Sequence, residues 1–258
     1  MSQPELKTAA LFERTEVHDR AADAPLRGSE KVRVEATLAL VPSDVRSVLD
    51  VGCGPGIFLH HLPAHVTERF GTDLGVRGMR NAKVPVFRSS VLQLPLADNS
   101  VDLVSCLEVL EHLPPAEVPA AIAELSRVAR KHVLVSTPHR EQLLDSSHRC
   151  PKCDTVFHLH GHQQSISAET LRPYFPTGKP VHTHYAWKVR PYQPTLLKLR
   201  THALGAWKYS SNTFCPHCGN TEFENHEGGL RWKLVGALNH LIHPRRTQGN
   251  WLLMRCDL

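Results

Sequence analysis

No apolar run in this sequence approaches the roughly 18 residues that a bilayer span needs, and the opening residues MSQPELKTAA are polar. A membrane helix and a secretion signal are therefore not expected, and the reading is of a cytoplasmic protein. Internal repeats and low-complexity linkers are also missing, which excludes solenoid and collagen-like architectures. Neither sign of charge dominates: 30 Lys and Arg stand against 25 Asp and Glu, for a net charge of +5. The basic residues look scattered apart from short groups such as Arg245 and Arg246, so no nucleic-acid footprint stands out. With 258 residues, 41% of them hydrophobic, the chain can bury the core of one large α/β domain, or of a smaller core carrying an elaboration.

What the sequence has in excess is metal-ligand chemistry. Its 18 histidines concentrate between His139 and His184. Of seven cysteines, Cys150 and Cys153 form one C-x-x-C pair and Cys215 and Cys218 another, while Cys53, Cys106 and Cys256 stand alone. In a reducing compartment, two such pairs suggest a metal before a disulfide.

Along the chain, a helix is expected over Ser29 to Leu40, ended by Pro42. From Ser47 the pattern turns to strand, glycine turn, helix and strand: SVLDV, GCGPG, IFLHHL, RFGTDL. Further strands are expected at VPVFRS, VDLVSC and HVLVST, with a helix from about Ala116 to Ala129. Strands alternating with helices predict a Rossmann-like α/β sheet with helices on both faces and a ligand crevice at the strands' carboxyl ends. After Pro138 the alternation breaks into the His- and Cys-rich segment. Helices are then expected at Ala168 to Tyr174, Pro194 to Trp207 and Leu230 to Ile242, an extended stretch at Val181 to Val189, and a last strand at Asn250 to Cys256. The expected division is an N-terminal helical cap over 1–46, an α/β core over 47–140, a His/Cys-rich region over 141–228 that includes later core elements, and a final helix and strand over 229–258.

VLDVGCGPG places Gly52, Gly54 and Gly56 directly after a buried strand, where the backbone turns sharply and a ligand can approach without meeting a Cβ. Alone, the triplet fits a nicotinamide dinucleotide, a flavin or a tight turn. Asp73 follows Gly52 by 21 residues at the end of the second strand, where a carboxylate can accept both ribose hydroxyls. Together with LQLPLADNSVDLVSCLEVLEHL, this combination resembles the class I S-adenosylmethionine-dependent methyltransferases over roughly Ser47 to Pro138, and within them the O-methyltransferase branch. The resemblance implies that Asp50, Gly52, Cys53, Gly54 and Gly56 hold the amino-acid part of the cofactor and that Asp73 and Leu74 hold its ribose. The Ser90 to Leu92 segment, Val91 included, would lie along the adenine, and Leu107 is a further cofactor-binding candidate. Many members carry aspartate where this chain has Ser90, whose uncharged hydroxyl makes a weaker contact or serves only as a strand end. Cys53 reads as packing.

CLEVLEHL puts Glu108, Glu111 and His112 just after the fourth strand; wound as a helix, the segment would bring all three to one face. Two carboxylates and an imidazole so close would repel or shift one another unless a cation sat among them, the bland reading being a solvated helix start. The E-x-x-E-H pattern resembles that of ubiquinone-pathway O-methyltransferases and small-RNA 2′-O-methyltransferases, where it binds a divalent ion with a later histidine. The resemblance implies His162, in HLHGHQQSISAETL, as that ligand, and Mg2+ or Mn2+ as the ion, suited to carboxylates with positions left for substrate oxygens. The ion would orient the acceptor and lower its pKa, leaving His112, His139 or His162 to take the proton.

Each cysteine pair has the spacing of a metal knuckle, and four thiolates would close a tetrahedral structural Zn2+ site. Since 61 residues separate Cys153 from Cys215, the knuckles must converge across intervening structure. Competing readings are a Cys150, Cys153, His158, His160 site, a redox pair, and ordinary turn cysteines. Neither knuckle lies beside a run of Lys or Arg interleaved with aromatics. Trp187, Tyr192, Trp207 and Tyr209 are candidates for an acceptor wall or for core packing. The expected function is an S-adenosylmethionine-dependent, metal-assisted O-methyltransferase of a polar small molecule, sugar or glycan intermediate. The alternatives are an RNA ribose 2′-O-methyltransferase and a catalytically inactive zinc-stabilised binding protein on the same fold.

Overall fold

Alternation along a few short strands sets the architecture. In SVLDV, Leu49 and Val51 enter one apolar cluster and Val48 the other; Val104 and Cys106 oppose Leu103, and Val133 and Val135 oppose Leu134. Strands with both faces buried need cover on both sides, and the helices supply it. The computed structural model describes residues 20–242 and 247–258. The start of the expected cap and the Arg245–Arg246 pair fall outside them.

In chain order the elements are α1 (Gly28–Leu38), β1 (Ser47–Val51), α2 (Ile57–His61), β2 (Glu68–Asp73), α3 (Val76–Met79), β3 (Val86–Arg88) and β4 (Val101–Leu107). There follow α4 (Val118–Val128), β5 (Ala129–Pro138), β6 (Ser147–Arg149), β7 (Val156–His158), α5 (Ala168–Leu171) and β8 (Val181–Val189). Last come α6 (Pro194–Lys198), α7 (Leu230–Ile242) and β9 (Gln248–Asp257). The main sheet has the order β3-β2-β1-β4-β5-β9-β8. Pairing is parallel from β3 through β5, and β9 runs antiparallel to both β5 and β8. This is a Rossmann-like sheet whose strand order reverses between β1 and β4, opening a crevice at their carboxyl ends. In α4, Val118, Ala121, Ile122, Leu125 and Val128 recur at helical spacing and seal one face.

Elements differ from the sequence expectation where side chains override periodicity. The helix expected over Pro194 to Trp207 stops at Lys198 and widens into a π turn at Leu199–Ala203. There Arg200 is fully buried: Nη1 donates to Asp145 Oδ1 at 2.6 Å, and the guanidinium lies 4.2 Å from the Trp232 ring centre and 4.7 Å from that of Tyr192. One side chain thus ties the segment before β6, α6 and α7 together. Of the proposed acceptor wall, Tyr192 packs on Arg200, Trp207 is buried edge-on to His202, and Trp187 is exposed.

Arg200 is buried but Asp145 is 34% exposed, so Arg200→Ala leaves a carboxylate that water can reach and removes the guanidinium's packing on Trp232 and Tyr192. The substitution is expected to cost about 1–3 kcal/mol. Arg149→Ala, which breaks the exposed pair with Asp154, should cost under about 1 kcal/mol. Chemical denaturation of both variants measures the contrast, and equal losses would contradict the tie assigned to Arg200.

Candidate functional site

A cavity of about 810 Å³ opens at the carboxyl ends of β1, β2 and β4. One end is built by the glycine turn. Gly52, Gly54 and Gly56 all have positive φ, at +79°, +50° and +79°. At Gly52 an added Cβ would come within 2.2 Å of the Val109 side chain, so glycine is required there by backbone conformation and by space together. Gly56 starts α2 and packs near Ala82 rather than lining the cavity. Asp73, at the end of β2, accepts from the N–H of Gly54 at 2.9 Å and of Gly75 at 2.8 Å, which aims its carboxylate at the turn. Asp50 is buried, and burial lifts its pKa to about 7 against the hydrogen bond donated by Ser105 at 2.6 Å.

Leu74, Val91 and Leu107 line the cavity; Ser90 does not, and its place there is taken by Ser89. The Ser90 hydroxyl accepts from the Leu92 N–H at 3.1 Å, serving the turn after β3. Cys53 borders the cavity, but burial raises its thiol pKa strongly, and its Sγ would lie 2.7 Å from a Cβ placed on Gly71, as expected of a packing residue. Arg33 of α1 also faces this end, close enough to act on Asp50. Nothing in its sequence surroundings singled it out.

The other end gathers carboxylates and imidazoles, not in the expected helix. Glu108 ends β4 with φ +59°, a left-handed conformation that is costly for a residue with a Cβ. Its carboxylate turns toward β5 and β9, accepting from Ser136 Oγ at 2.7 Å and Trp251 Nε1 at 2.8 Å. Leu110–His112 forms a single 3-10 turn before Pro114 and Pro115, too short to stack Glu108 over His112. Glu111, His112 and His162 do converge, each offering a ligand atom within 4.8 Å of the others, with the two imidazoles edge to face at 4.7 Å. Glu108 is not part of that group.

Glu111 is 1% exposed, and neither carboxylate oxygen has a hydrogen-bond partner among the described residues. Burial raises its pKa well above the usual range, with Glu108 adding to the effect; its own N–H and the Thr137 hydroxyl oppose it without reaching hydrogen-bond geometry. His112 is driven down to about 3 by burial and by the charge of His162. An acid and a base both disfavoured in their charged forms, side by side, are what a cation would reconcile.

Glu141, missed in the sequence, fixes the histidines. Its Oε2 lies 2.5 Å from His162 Nδ1 and its Oε1 3.2 Å from His158 Nε2. His158 Nδ1 accepts from the N–H groups of His160 and His162, both at 3.2 Å, so its proton sits on Nε2. Burial alone would raise the Glu141 carboxyl, but the two histidines outweigh it and hold it at about 2. The ionised carboxylate then accepts a hydrogen bond from the Nδ1–H of His162, which leaves Nε2 as that ring's lone-pair nitrogen, the arrangement by which a carboxylate orients a metal-binding histidine. His139, at the end of β5, lines the same cavity outside this group, 4.8 Å from the Tyr185 ring; burial lowers its pKa, as does Arg140.

The four knuckle cysteines also converge. Cys150 and Cys218 sulfurs are 3.6 Å apart, as are those of Cys153 and Cys215, and all four lie within 4.8 Å. Zn–S bonds of about 2.3 Å in a tetrahedron imply sulfurs about 3.8 Å apart. Both knuckles share one backbone form. Cys150 N–H donates to Thr155 O and Asp154 N–H to Cys150 O; likewise Cys215 to Asn220 and Gly219 to Cys215. Asp154 and Gly219 are both left-handed, at +61° and +73°. The alternative with His158 and His160 is not formed, because His158 is bound to Glu141 and neither imidazole joins the sulfurs.

Two glutamines that the sequence reading passed over close the distance between residues 112 and 162. Gln164 Nε2 donates to the carbonyls of Leu110 and Leu113 at 3.0 and 2.9 Å, and Gln163 Nε2 to that of His112 at 2.5 Å. Gln164→Ala strips two buried carbonyls of a donor and should cost about 1–3 kcal/mol. It should also speed amide exchange across residues 158–164 by more than across α4. Unaltered exchange would show that the loop is held otherwise.

Comparison with known proteins follows the same outline. Residues 49–137 match a family described as "Methyltransferase domain". A ubiquinone biosynthesis O-methyltransferase of Photobacterium profundum is 33% identical over 106 residues, 37% of this chain and 45% of that protein. One from Albidiferax ferrireducens is 33% identical over 113 residues, 39% and 45% of the two chains. This chain thus spans about half the length of these curated relatives. A SAM-dependent methyltransferase from Archaeoglobus fulgidus superposes with a TM-score of 0.54 at 17% identity, over 89% of this chain and 97% of that one. Magnesium protoporphyrin IX methyltransferase from Synechocystis, crystallised with SAH, gives 0.55 at 18% identity, over 73% and 94%. Residues 49–137 are thus similar to the methyltransferase-domain family, and the Rossmann-like sheet that carries them has the fold of solved S-adenosylmethionine-dependent methyltransferases.

Proposed function

We propose that this chain is an S-adenosylmethionine-dependent O-methyltransferase acting on a hydroxyl of a polar small molecule, sugar or glycan intermediate. The observation that carries this reading is one cavity with the glycine turn and Asp73 at one end and the Glu111, His112, His162 group at the other. The O-methyltransferase names of the curated relatives support it. In this reading Asp73 accepts the ribose hydroxyls, while Asp50 and Arg33 face the amino-acid end of the cofactor, where Arg33 can pair with its carboxylate. The sulfonium already makes a good leaving group, so the protein's task is to align the acceptor and remove its proton. Glu111, His112 and the Nε2 of His162 would hold Mg2+ or Mn2+, which supplies positive charge beside the acceptor oxygen and lowers its pKa. With His112 and His162 engaged, His139 is the base; its lowered pKa keeps it neutral and able to take a proton at neutral pH. Cys150, Cys153, Cys215 and Cys218 would hold a structural Zn2+, with no position left for substrate.

Asp73→Ala should weaken S-adenosylmethionine binding about tenfold or more, since two ribose hydroxyls lose their acceptor. Calorimetry on the purified chain measures it, and unchanged affinity would remove Asp73 from the site.

The metals are separable in one set of assays. Glu111→Ala and His162→Ala should lower the methyl-transfer rate by orders of magnitude while sparing cofactor affinity and zinc content, whereas Cys150→Ser and Cys215→Ser should both release zinc and destabilise the chain. Full activity in protein that retains zinc alone would dismiss the catalytic ion. Loss of metal from the Cys150 variant only would dismiss the shared site.

A further inference from the structure

The net charge of +5 conceals a division along the chain. No Asp or Glu occurs between Glu169 and Glu222, nor between Glu227 and Asp257. Residues 170–256 hold twelve Lys and Arg against three Glu. Into this basic half is set α7, whose Leu230, Leu234, Leu238, Leu241 and Ile242 are between 42% and 75% exposed. At 100° per residue these five share one arc of about 120°, with Arg231 at its N-terminal end and Lys233 on its flank, while Val235 and Asn239 lie past its other edge on the buried side. Single exposed leucines need no explanation; five on one helix face form a patch that does.

The helix is anchored on its other side. Trp232 packs on Arg200, Asn239 Oδ1 accepts from the Gln193 N–H at 2.7 Å, and His240 meets Arg190. Arg190 and its neighbours Val189 and Pro191 also line the cavity, so α7 stands against the rim of the site. Arg231 and Lys233 are exposed on α7 itself, with Lys188 and Arg190 exposed on the adjoining segment.

We infer that the exposed face of α7, with its surrounding basic residues, docks on an anionic lipid bilayer and lays the helix in the membrane interface beside the mouth of the cavity. An aliphatic stripe rimmed by Lys and Arg is the composition of interfacial helices, which gain from apolar burial and from attraction to acidic headgroups together. Nucleic acid is disfavoured because leucines offer a base neither a hydrogen bond nor a stacking surface. A second copy seated on the same face is distinguished by the vesicle test. The docking does not rest on the methyltransferase reading, and its test does not use activity.

The purified full chain, with its metal retained, is sedimented with vesicles of phosphatidylcholine alone and of phosphatidylcholine mixed with phosphatidylglycerol. Binding is expected to the acidic vesicles at low salt and to fall as salt rises. Substituting Leu234→Gln, Leu238→Gln and Leu241→Gln together should weaken it about tenfold or more, with circular dichroism and zinc content unchanged. Should that variant misfold, the pair Leu230→Gln and Leu241→Gln replaces it. Arg231→Gln with Lys233→Gln should reduce binding to the acidic vesicles and flatten its salt dependence. A chain that stays in the supernatant with acidic vesicles overturns the inference, as does a leucine variant that binds like the parent. So does a leucine-dependent dimer, or affinity for a single-stranded RNA, found without vesicle binding.

Discussion

A carboxylate that is shut away from water and given no hydrogen-bond partner among the described residues governs how the rest of the site is arranged. Glu111 sits at that point, on a one-turn helix behind β4. Burying an unpartnered carboxylate costs more than the fold recovers from packing it, unless it is neutral or a cation joins it. Its neighbour His112 is equally unsuited to charge, and the imidazole of His162 closes the group. The surrounding structure holds these three together: glutamine donors clamp the turn, and Glu141 sets the tautomers of two histidines. In the proposed reading, these positioning contacts ready a disfavoured carboxylate for a ligand with positive charge.

The cysteine cluster belongs to the same construction. Cys150 and Cys153 occupy the turn between β6 and β7, and β7 ends at His158, from which the chain runs directly to His162 and the two glutamines. Fixing that turn therefore fixes where the histidine loop begins. In the proposed reading, the structural zinc stabilises the catalytic site from outside it, through the two-stranded ribbon. On the far side of the ribbon, buried Arg200 joins the same region to α7, so the rim of the cavity and the basic helix share one support.

Strand positions were legible because alternation and the glycine turn are local. SVLDV, VDLVSC and HVLVST lie where their patterns place them, and the carboxyl-end crevice follows from the strand order. The convergence of the knuckles across their long separation was legible from residue type, since paired thiolates have few other uses in a reducing setting. The path of residues 108–112 was not, because helical spacing in a five-residue stretch cannot reveal a left-handed Glu108 or a 3-10 turn stopped by two prolines. Glu141, Gln163, Gln164, Arg33 and Arg200 were also silent. Each acts through a partner far off in sequence, and polar side chains of these types are ordinarily surface residues. Ser90 was assigned through the resemblance; Ser89, one position away, lines the cavity, while the Ser90 hydroxyl serves the turn after β3.

The central claim is that a divalent ion is bound by Glu111, His112 and the Nε2 of His162. Electron–nuclear double resonance of Mn2+ added to the purified chain tests it most directly. The account predicts nitrogen couplings from two imidazoles, one lost in His112→Ala and the other in His162→Ala. Mn2+ coordinated by water alone, with no nitrogen coupling at saturating protein, would contradict it.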